Sequence, residues 1–168
     1  SVAYERMSGC IRRPNPELRL SVARQITPHL PHLRRFARAL TGTQETGDAL
    51  VIATLETLID DDSLFQRDLP PKVALYNVFI DVLRAGTEQG EWTATTPSPA
   101  ERKLGAMTPK ARQAFLLNAM EGFRIEEIAE ILSCPESEVS DLIVRAEREI
   151  SSEMATSVLI IEDEPIIA

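Results

Sequence analysis

Few side chains in this sequence are of types and at spacings that could catalyse a reaction or hold a metal ion. The best candidates are Glu162 and Asp163, which follow a short run of β-type residues at positions 157–161. Carboxylate oxygens at the end of a buried strand are ligands that a hard cation such as Mg²⁺ accepts. The sequence offers no nucleophile–base set, no phosphate-cradling glycine loop and no zinc-type cluster of cysteine and histidine. It therefore argues against an enzyme.

Length, charge and cysteine content narrow the class of protein. The chain has 168 residues, a formal net charge of −8, 43% hydrophobic and 26% charged residues, enough for one compact domain or two small ones. The excess of acidic over basic residues argues against a generic nucleic-acid binder. Cys10 and Cys134 lie far apart, which favours reduced cytosolic thiols over a disulfide. With no signal peptide and no run of roughly 20 apolar residues, we expect a cytoplasmic protein without membrane contacts.

Residues 107–151 have the apolar period of three helices, the last two arranged as a helix-turn-helix. Thr108 suits an N-cap, and Pro109 suits the first helical position, where its missing N–H costs nothing. Gly122 ends the first of these helices, and Pro135 opens the third. Helix-turn-helix units read DNA in many proteins and serve only as packing units in others. The motif alone does not choose between these roles.

The helix predicted near residues 45–60 is apolar around most of its circumference. A helix of this kind either lies at the centre of a core or keeps one face for another protein. Ahead of it, a helix from Pro31 to Gly42 carries a single apolar stripe, and after it Pro70 and Pro71 open a fourth helix. The pattern alone leaves both roles open for the helix near residues 45–60.

These patterns divide the chain into five segments. The boundaries follow from changes of period and from a stretch rich in Gly, Thr and Pro between the helical regions. The segments are a flexible leader (1–16), a first helical domain (17–86), a linker with a short helix (87–106), a second, helix-turn-helix domain (107–151), and a linker with the β-type run (152–168). The predicted fold class is all-α, with a single strand fragment at the end.

Both helical domains resemble those of extracytoplasmic-function sigma factors. The first carries LPHLRRFARALTG and NVFIDVLR, and the second carries GFRIEEIAEILSCPESEV followed by RAERE. The resemblance implies a sigma-2-like domain followed by a sigma-4-like domain, which in that family bind RNA polymerase and promoter DNA. A genuine sigma factor is therefore one candidate function.

The sequence departs from this family at the positions that serve those two contacts. Ile52 and Ala53 stand where the family has the Gln and Glu of its polymerase-contacting signature. The last helix is rich in Lys and Arg in the family, but here only Arg145 and Arg148 are basic. Its acidic residues are Glu136, Glu138, Asp141, Glu147 and Glu149. Because DNA affinity depends on cations that displace condensed counterions, we expect no DNA binding.

The acidic end of the chain carries a further resemblance. The string SVLIIEDEP resembles the opening strand of a two-component receiver domain, and this resemblance implies that Glu162 and Asp163 are an acidic pair of its Mg²⁺ site. The phosphoacceptor aspartate and the rest of such a sheet are not in this sequence. We therefore expect no cofactor here and Mg²⁺ only in an intact receiver.

The order of sigma-2-like, sigma-4-like and receiver segments resembles the PhyR-type response regulators of the alphaproteobacterial general stress response, over roughly residues 21–168. The resemblance implies an anti-anti-sigma protein. Phosphorylation of its own receiver domain would free the sigma-like part to bind an anti-sigma factor of NepR type, which releases the real sigma factor. The missing basic contacts and the surplus apolar faces agree with this role, because amphipathic helices bind apolar grooves.

On this hypothesis the partner lays amphipathic helices across both helical domains. The predicted contact residues are Ile52, Leu55, Ile59, Val139, Leu142 and Ile143. The alternative for each position is an ordinary place in the core. Substitution by Asp separates the two interpretations, because a surface contact loses partner binding whereas a core residue unfolds the chain.

Overall fold

The computed structural model describes residues 15–90 and 109–162, and within these ranges the chain is helical without a strand. We call α1 to α4 the first unit and α5 to α7 the second unit. The helices are α1 (Pro16–Ile26), α2 (Leu30–Thr41), α3 (Gln44–Asp60), α4 (Pro71–Glu88), α5 (Pro109–Ala119), α6 (Ile125–Leu132) and α7 (Glu136–Glu162). The predicted all-α class is confirmed. None of these helices is long and apolar enough to cross a membrane.

Several predicted segments fall wholly or partly beyond these ranges. The leader up to residue 14, the linker from residue 91 with its short helix, and residues 163–168 lie outside the described part of the chain.

Capping residues set where the helices of the first unit begin and end. The Asn15 side chain accepts a hydrogen bond from the Glu17 N–H (3.1 Å) at the start of α1, and the Thr43 hydroxyl accepts one from the Thr46 N–H (3.2 Å) at the start of α3. Such bonds satisfy backbone donors that have no partner within the helix. Gly42 ends α2 in the left-handed region, at φ 82°.

Helices α2 and α3 approach each other very closely at Gly47. A Cβ atom placed there would lie 2.7 Å from the backbone nitrogen of Arg38 and 2.8 Å from its Cα. The next residue, Asp48, accepts two hydrogen bonds from Arg38 (2.8 and 2.9 Å) and two longer ones from Arg34 (3.1 and 3.4 Å). These two guanidinium groups, Arg38 most of all, hold the pKa of Asp48 well below its usual range. The contact fixes α3 against α2.

A row of aromatic rings joins the two units into one hydrophobic core. Phe36 of α2 packs against Phe79 and Tyr76 of α4, with ring centroids 5.7 and 5.4 Å apart. Tyr76 in turn meets Phe123 of the second unit edge to face, at 5.0 Å. The buried residues of both units form a single cluster. Because aromatic side chains bury large apolar areas, this row is a main component of the inter-unit packing.

The strand predicted at residues 157–161 is wrong for this structure. The segment continues α7, which runs without interruption from Glu136 to Glu162. A strand needs a neighbour to satisfy its backbone donors and acceptors, and the described residues include no strand with which it could pair. A helix satisfies these groups within its own segment, and extending an existing helix avoids the cost of nucleating a new one.

Candidate partner-binding surface

The outer face of α3 carries a stripe of apolar side chains at helical spacing. Ile52 and Ile59 are 55% and 56% exposed, and Leu55 lies half-buried between them. We call these three residues the α3 stripe. The inner face of the same helix buries Leu50 and Leu58 in the shared core. Helix α3 is thus apolar on both sides, and its outer side is left without a covering element in the described structure.

A groove of about 660 Å³ runs beside this stripe, between α3 and α4. Apolar side chains that include Val78 and Val82 contribute to its wall, and Leu64, which is 44% exposed, widens the apolar surface at the 3₁₀ turn Asp62–Leu64. Three exposed carboxylates line the groove: Glu56, Asp60 and Asp81. A groove of mixed polar and apolar lining, with acidic residues along it and the apolar α3 stripe beside it, matches an amphipathic helix that carries basic residues beside its apolar face.

The three contact residues predicted in the second unit occupy different surroundings. Val139 is fully buried, and Leu142 and Ile143 are only 7% and 9% exposed. The structure therefore places them in the core, where α7 packs against α5 and α6. They are not available to a partner while the second unit keeps this packing.

The exposed side of α7 carries aliphatic residues that the sequence analysis did not select. Val144 is 43% exposed, and Met154 is 66% exposed. The signal was present in the sequence, because Val139, Leu142 and Ile143 share one helical face and Val144 falls outside that stripe. The same side shows acidic Asp141 to solvent.

The acidic pair implied by the receiver resemblance lies at the edge of the part of the chain that the structure describes. Glu162 is the last residue of α7 rather than the residue after a strand, and Asp163 lies outside the described residues. No group of three or more His, Cys, Asp or Glu side chains that could hold an ion is found among the described positions. The role of Glu162 and Asp163 toward Mg²⁺ therefore stays a prediction.

Polar contacts between the two units involve residues that the sequence analysis left without a site role. Asn77 is buried on α4 and donates to the carbonyl oxygens of Glu130 (2.9 Å) and Ile131 (3.4 Å) near the end of α6. These carbonyls belong to the last turn of a helix and have no partner within it. Asn77 therefore serves as an inter-unit cap.

Glu121 makes the second polar contact between the units. Its carboxylate accepts a hydrogen bond from the Tyr76 hydroxyl (3.0 Å) and pairs with Lys72 (3.2 Å) and Arg35 (3.3 Å), while its side chain is only 1% exposed. Burial and the neighbouring Glu121 carboxylate raise the pKa of Tyr76 far above its ordinary value. The phenol therefore stays protonated near neutral pH and donates its hydrogen bond to the Glu121 carboxylate.

Comparisons with known proteins agree with this architecture. Two family models match the chain, the "Sigma2 domain of PhyR" at residues 26–80 and "Response regulator PhyR, sigma-like domain" at residues 104–153. The phyllosphere-induced regulator PhyR of Methylorubrum extorquens is 46% identical over 150 residues, which cover 89% of this chain and 56% of that protein. The chain thus spans about half the length of this curated relative.

Two solved structures share the fold at comparable identity. One is a co-crystal of the anti-anti-sigma factor PhyR with the anti-sigma factor NepR from Bartonella quintana, 38% identical, with a TM-score of 0.66 over 79% of this chain and 50% of that one. The other is the NMR structure of the PhyRSL–NepR complex from Sphingomonas sp. Fr1, 39% identical, with a TM-score of 0.67 over 78% of this chain and 87% of that one. Matches to both family models and 39% identity across most of a solved relative show that this chain belongs to the PhyR family of response regulators.

Proposed function

We propose that this protein is an anti-anti-sigma regulator, which binds an anti-sigma factor of NepR type through its sigma-like units and so releases a sigma factor for stress transcription. The observation that carries the proposal is the uncovered α3 stripe beside the acid-lined groove. Two relatives of similar sequence and fold have been solved in complex with NepR. The apolar stripe supplies buried area for a partner helix, and the groove carboxylates select basic residues on it.

The charge of α7 disfavours the alternative of a promoter-binding sigma factor. Its exposed positions include the acidic Asp141 and Glu147 as well as the basic Arg145 and Arg148. The exposed surface of α7 therefore carries charges of both signs. A helix that approaches DNA must neutralise phosphates, and nearby carboxylates oppose this. A regulatory rather than a catalytic role follows from the same proposal.

In the full-length protein we assign control of this surface to the receiver domain, with Mg²⁺ needed only there. We place the protein in the cytoplasm, where sigma factors and their anti-sigma factors act. The groove and the α3 stripe belong to the first unit, so a receiver that covers them would block the partner by competition for one surface.

The test is a calorimetric titration of the chain with a purified NepR-type anti-sigma factor. Ile52→Asp and Ile59→Asp place a charge where a partner would bury an apolar side chain, and we expect each to weaken binding about thirtyfold or more, as for a central interface residue. Leu20→Asp is the matched control, because Leu20 is 61% exposed and belongs to a different helix, α1. It should bind like the unaltered chain.

Three results would contradict the proposal. The first is no binding of the anti-sigma factor by the unaltered chain, and the second is equal affinity of the Ile52→Asp and Leu20→Asp variants. The third is salt-sensitive binding to promoter DNA in a parallel titration, because phosphate contacts lose affinity steeply as salt is added. That third result would favour a working sigma factor.

A further inference from the structure

Glu121 occupies a position that is unfavourable for a carboxylate on two counts. It follows the C-terminal end of α5 (Pro109–Ala119), where the helix dipole carries partial negative charge. Its side chain is also 1% exposed, and burial of a charge costs free energy unless the charge is paired and hydrogen-bonded. A carboxylate is stable at this place only because of what surrounds it.

Among the described residues, the ion-pair and hydrogen-bond partners of the Glu121 carboxylate all come from the first unit. Arg35 belongs to α2, and Lys72 and Tyr76 belong to α4, all in the first unit. Lys72 also donates to the Glu121 backbone carbonyl (3.3 Å). The second unit thus presents one buried anion, and the first unit presents two cations and a phenol to receive it.

The turn that carries Glu121 is held rigidly by its own backbone. Gly122, at φ 71°, donates its N–H to the Asn118 carbonyl (3.1 Å), and Phe123 donates to the Leu117 carbonyl (3.1 Å). The Gly122 bond is that of an αL helix ending, which requires the left-handed conformation that glycine adopts without strain. The turn therefore directs Glu121 and Phe123 together at α4.

Phe123 reinforces the same contact. The Lys72 ammonium lies 4.6 Å from the centroid of the Phe123 ring and 5.8 Å from that of Tyr76. Tyr76 and Phe123 also pack edge to face. The charged and aromatic contacts share residues, so loss of the carboxylate also removes the group that holds Lys72 over the Phe123 ring.

The geometry points to Glu121 as an inter-unit clamp: its carboxylate, held by Arg35, Lys72 and Tyr76, fixes the second unit at one position on the first. Arg35 is 56% exposed, so water has direct access to one edge of the clamp and competes for its charges. When the clamp opens, a partner that contacts both units would lose part of its binding surface. This consequence rests on the proposed function.

The first experiment measures backbone ¹⁵N relaxation by NMR on the whole chain. In the unaltered protein we expect one rotational correlation time for α1–α4 and α5–α7. In Glu121→Ala we expect that common value to be lost, with a shorter correlation time for each unit. Removal of a buried partner should raise the population of the separated state relative to the packed state roughly ten- to a hundredfold. Far-UV circular dichroism checks that helical content persists.

Two further variants keep the clamp falsifiable if Glu121→Ala unfolds the second unit. Tyr76→Phe removes only the hydroxyl, keeps the ring contacts with Phe36 and Phe123, and should shift the correlation times in the same direction by less. Arg35→Met removes the charge of a half-exposed residue in the first unit. It should also shift the correlation times in the same direction by less than Glu121→Ala does. Glu126→Ala, which changes an exposed carboxylate of the second unit, is the control and should leave one common correlation time.

Common tumbling of both units in Glu121→Ala, Tyr76→Phe and Arg35→Met would overturn the clamp. Titration of the same variants with the anti-sigma factor separates this inference from the proposed function. If the unaltered chain binds no anti-sigma factor but Glu121→Ala still separates the units, the proposed function fails and the clamp stands. If the variants tumble as one body and bind normally, the clamp fails and the proposed function stands.

Discussion

Helices α3 and α7 each bury an apolar stripe in the shared core, but they differ in what they show to solvent. Helix α3 has apolar residues on two sides, so burial of Leu50 and Leu58 leaves Ile52 and Ile59 more than half exposed, at 55% and 56%. Helix α7 buries one main stripe in the core and leaves Val144 43% exposed on another side. A surplus of apolar residues around a helix, rather than their mere presence, is therefore the feature that predicts a partner surface on α3.

The two helices also differ in how they are held. Helix α3 is fixed to α2 within its own unit, through the close approach at Gly47 and the Asp48 ion pairs. The second unit is held to the first across the inter-unit core and by Glu121. A partner that binds only the α3 stripe would meet a rigid surface. The affinity of a partner that contacts both units would depend on the position of the second unit relative to the first.

The largest expected effect comes from Leu142→Asp on α7. Leu142 is 7% exposed in the core of the second unit, so a carboxylate there would be buried without a partner, and we expect a loss of about 4 kcal/mol or more in the free energy of unfolding. Urea denaturation followed by circular dichroism measures it. Unchanged stability together with lost partner binding would show that Leu142 is a surface contact after all.

Gly47→Ala should have the next largest effect. The added methyl group would lie under 3 Å from backbone atoms of Arg38, and because backbone cannot rotate away, α3 must shift from α2 at a cost of about 1–3 kcal/mol. A lowered thermal midpoint by calorimetry checks this. Thr46→Ala, at the neighbouring half-buried position, is the comparison, and an equally large loss there would mean that the close approach is not the cause.

A smaller effect is expected from the pH dependence of Asp48→Asn. The pKa of Asp48 is lowered in the folded protein, so its ion pairs stabilise the fold above the unfolded aspartate pKa of about 4 and are lost as the pH falls through the lower folded value. The variant should be somewhat less stable near neutrality, and the difference should shrink below about pH 4. Denaturation at several pH values measures it, and a constant difference would contradict the assignment.

The smallest effect on stability is expected from charges on the outer faces. Ile59→Asp on α3 and Val144→Asp on α7 alter exposed side chains, so each should change the free energy of unfolding by no more than about 0.5 kcal/mol. If Ile59→Asp weakens anti-sigma binding and Val144→Asp does not, the partner uses α3 alone. Losses of binding in both would extend the surface across the second unit.

Local signals in the sequence were enough to predict most of the helices and the family. Asn15 and Thr43 cap α1 and α3, Gly42 ends α2, and the period of apolar residues fixes each buried stripe, because these signals act between residues only a few positions apart. The strings shared with sigma factors and the departures from them were sufficient to predict the PhyR family.

Which apolar side chains remain exposed, and which residues join the units, depends on tertiary packing. Val139, Leu142 and Ile143 became core, and Glu121 gained its partners, through contacts between residues far apart in the chain. The fate of residues 157–161 was decided in the same way, because a strand requires a neighbour that the described residues do not supply, while α7 could simply continue. Local sequence sets where a helix begins and which side is apolar, but exposure and charge pairing are properties of the packed whole.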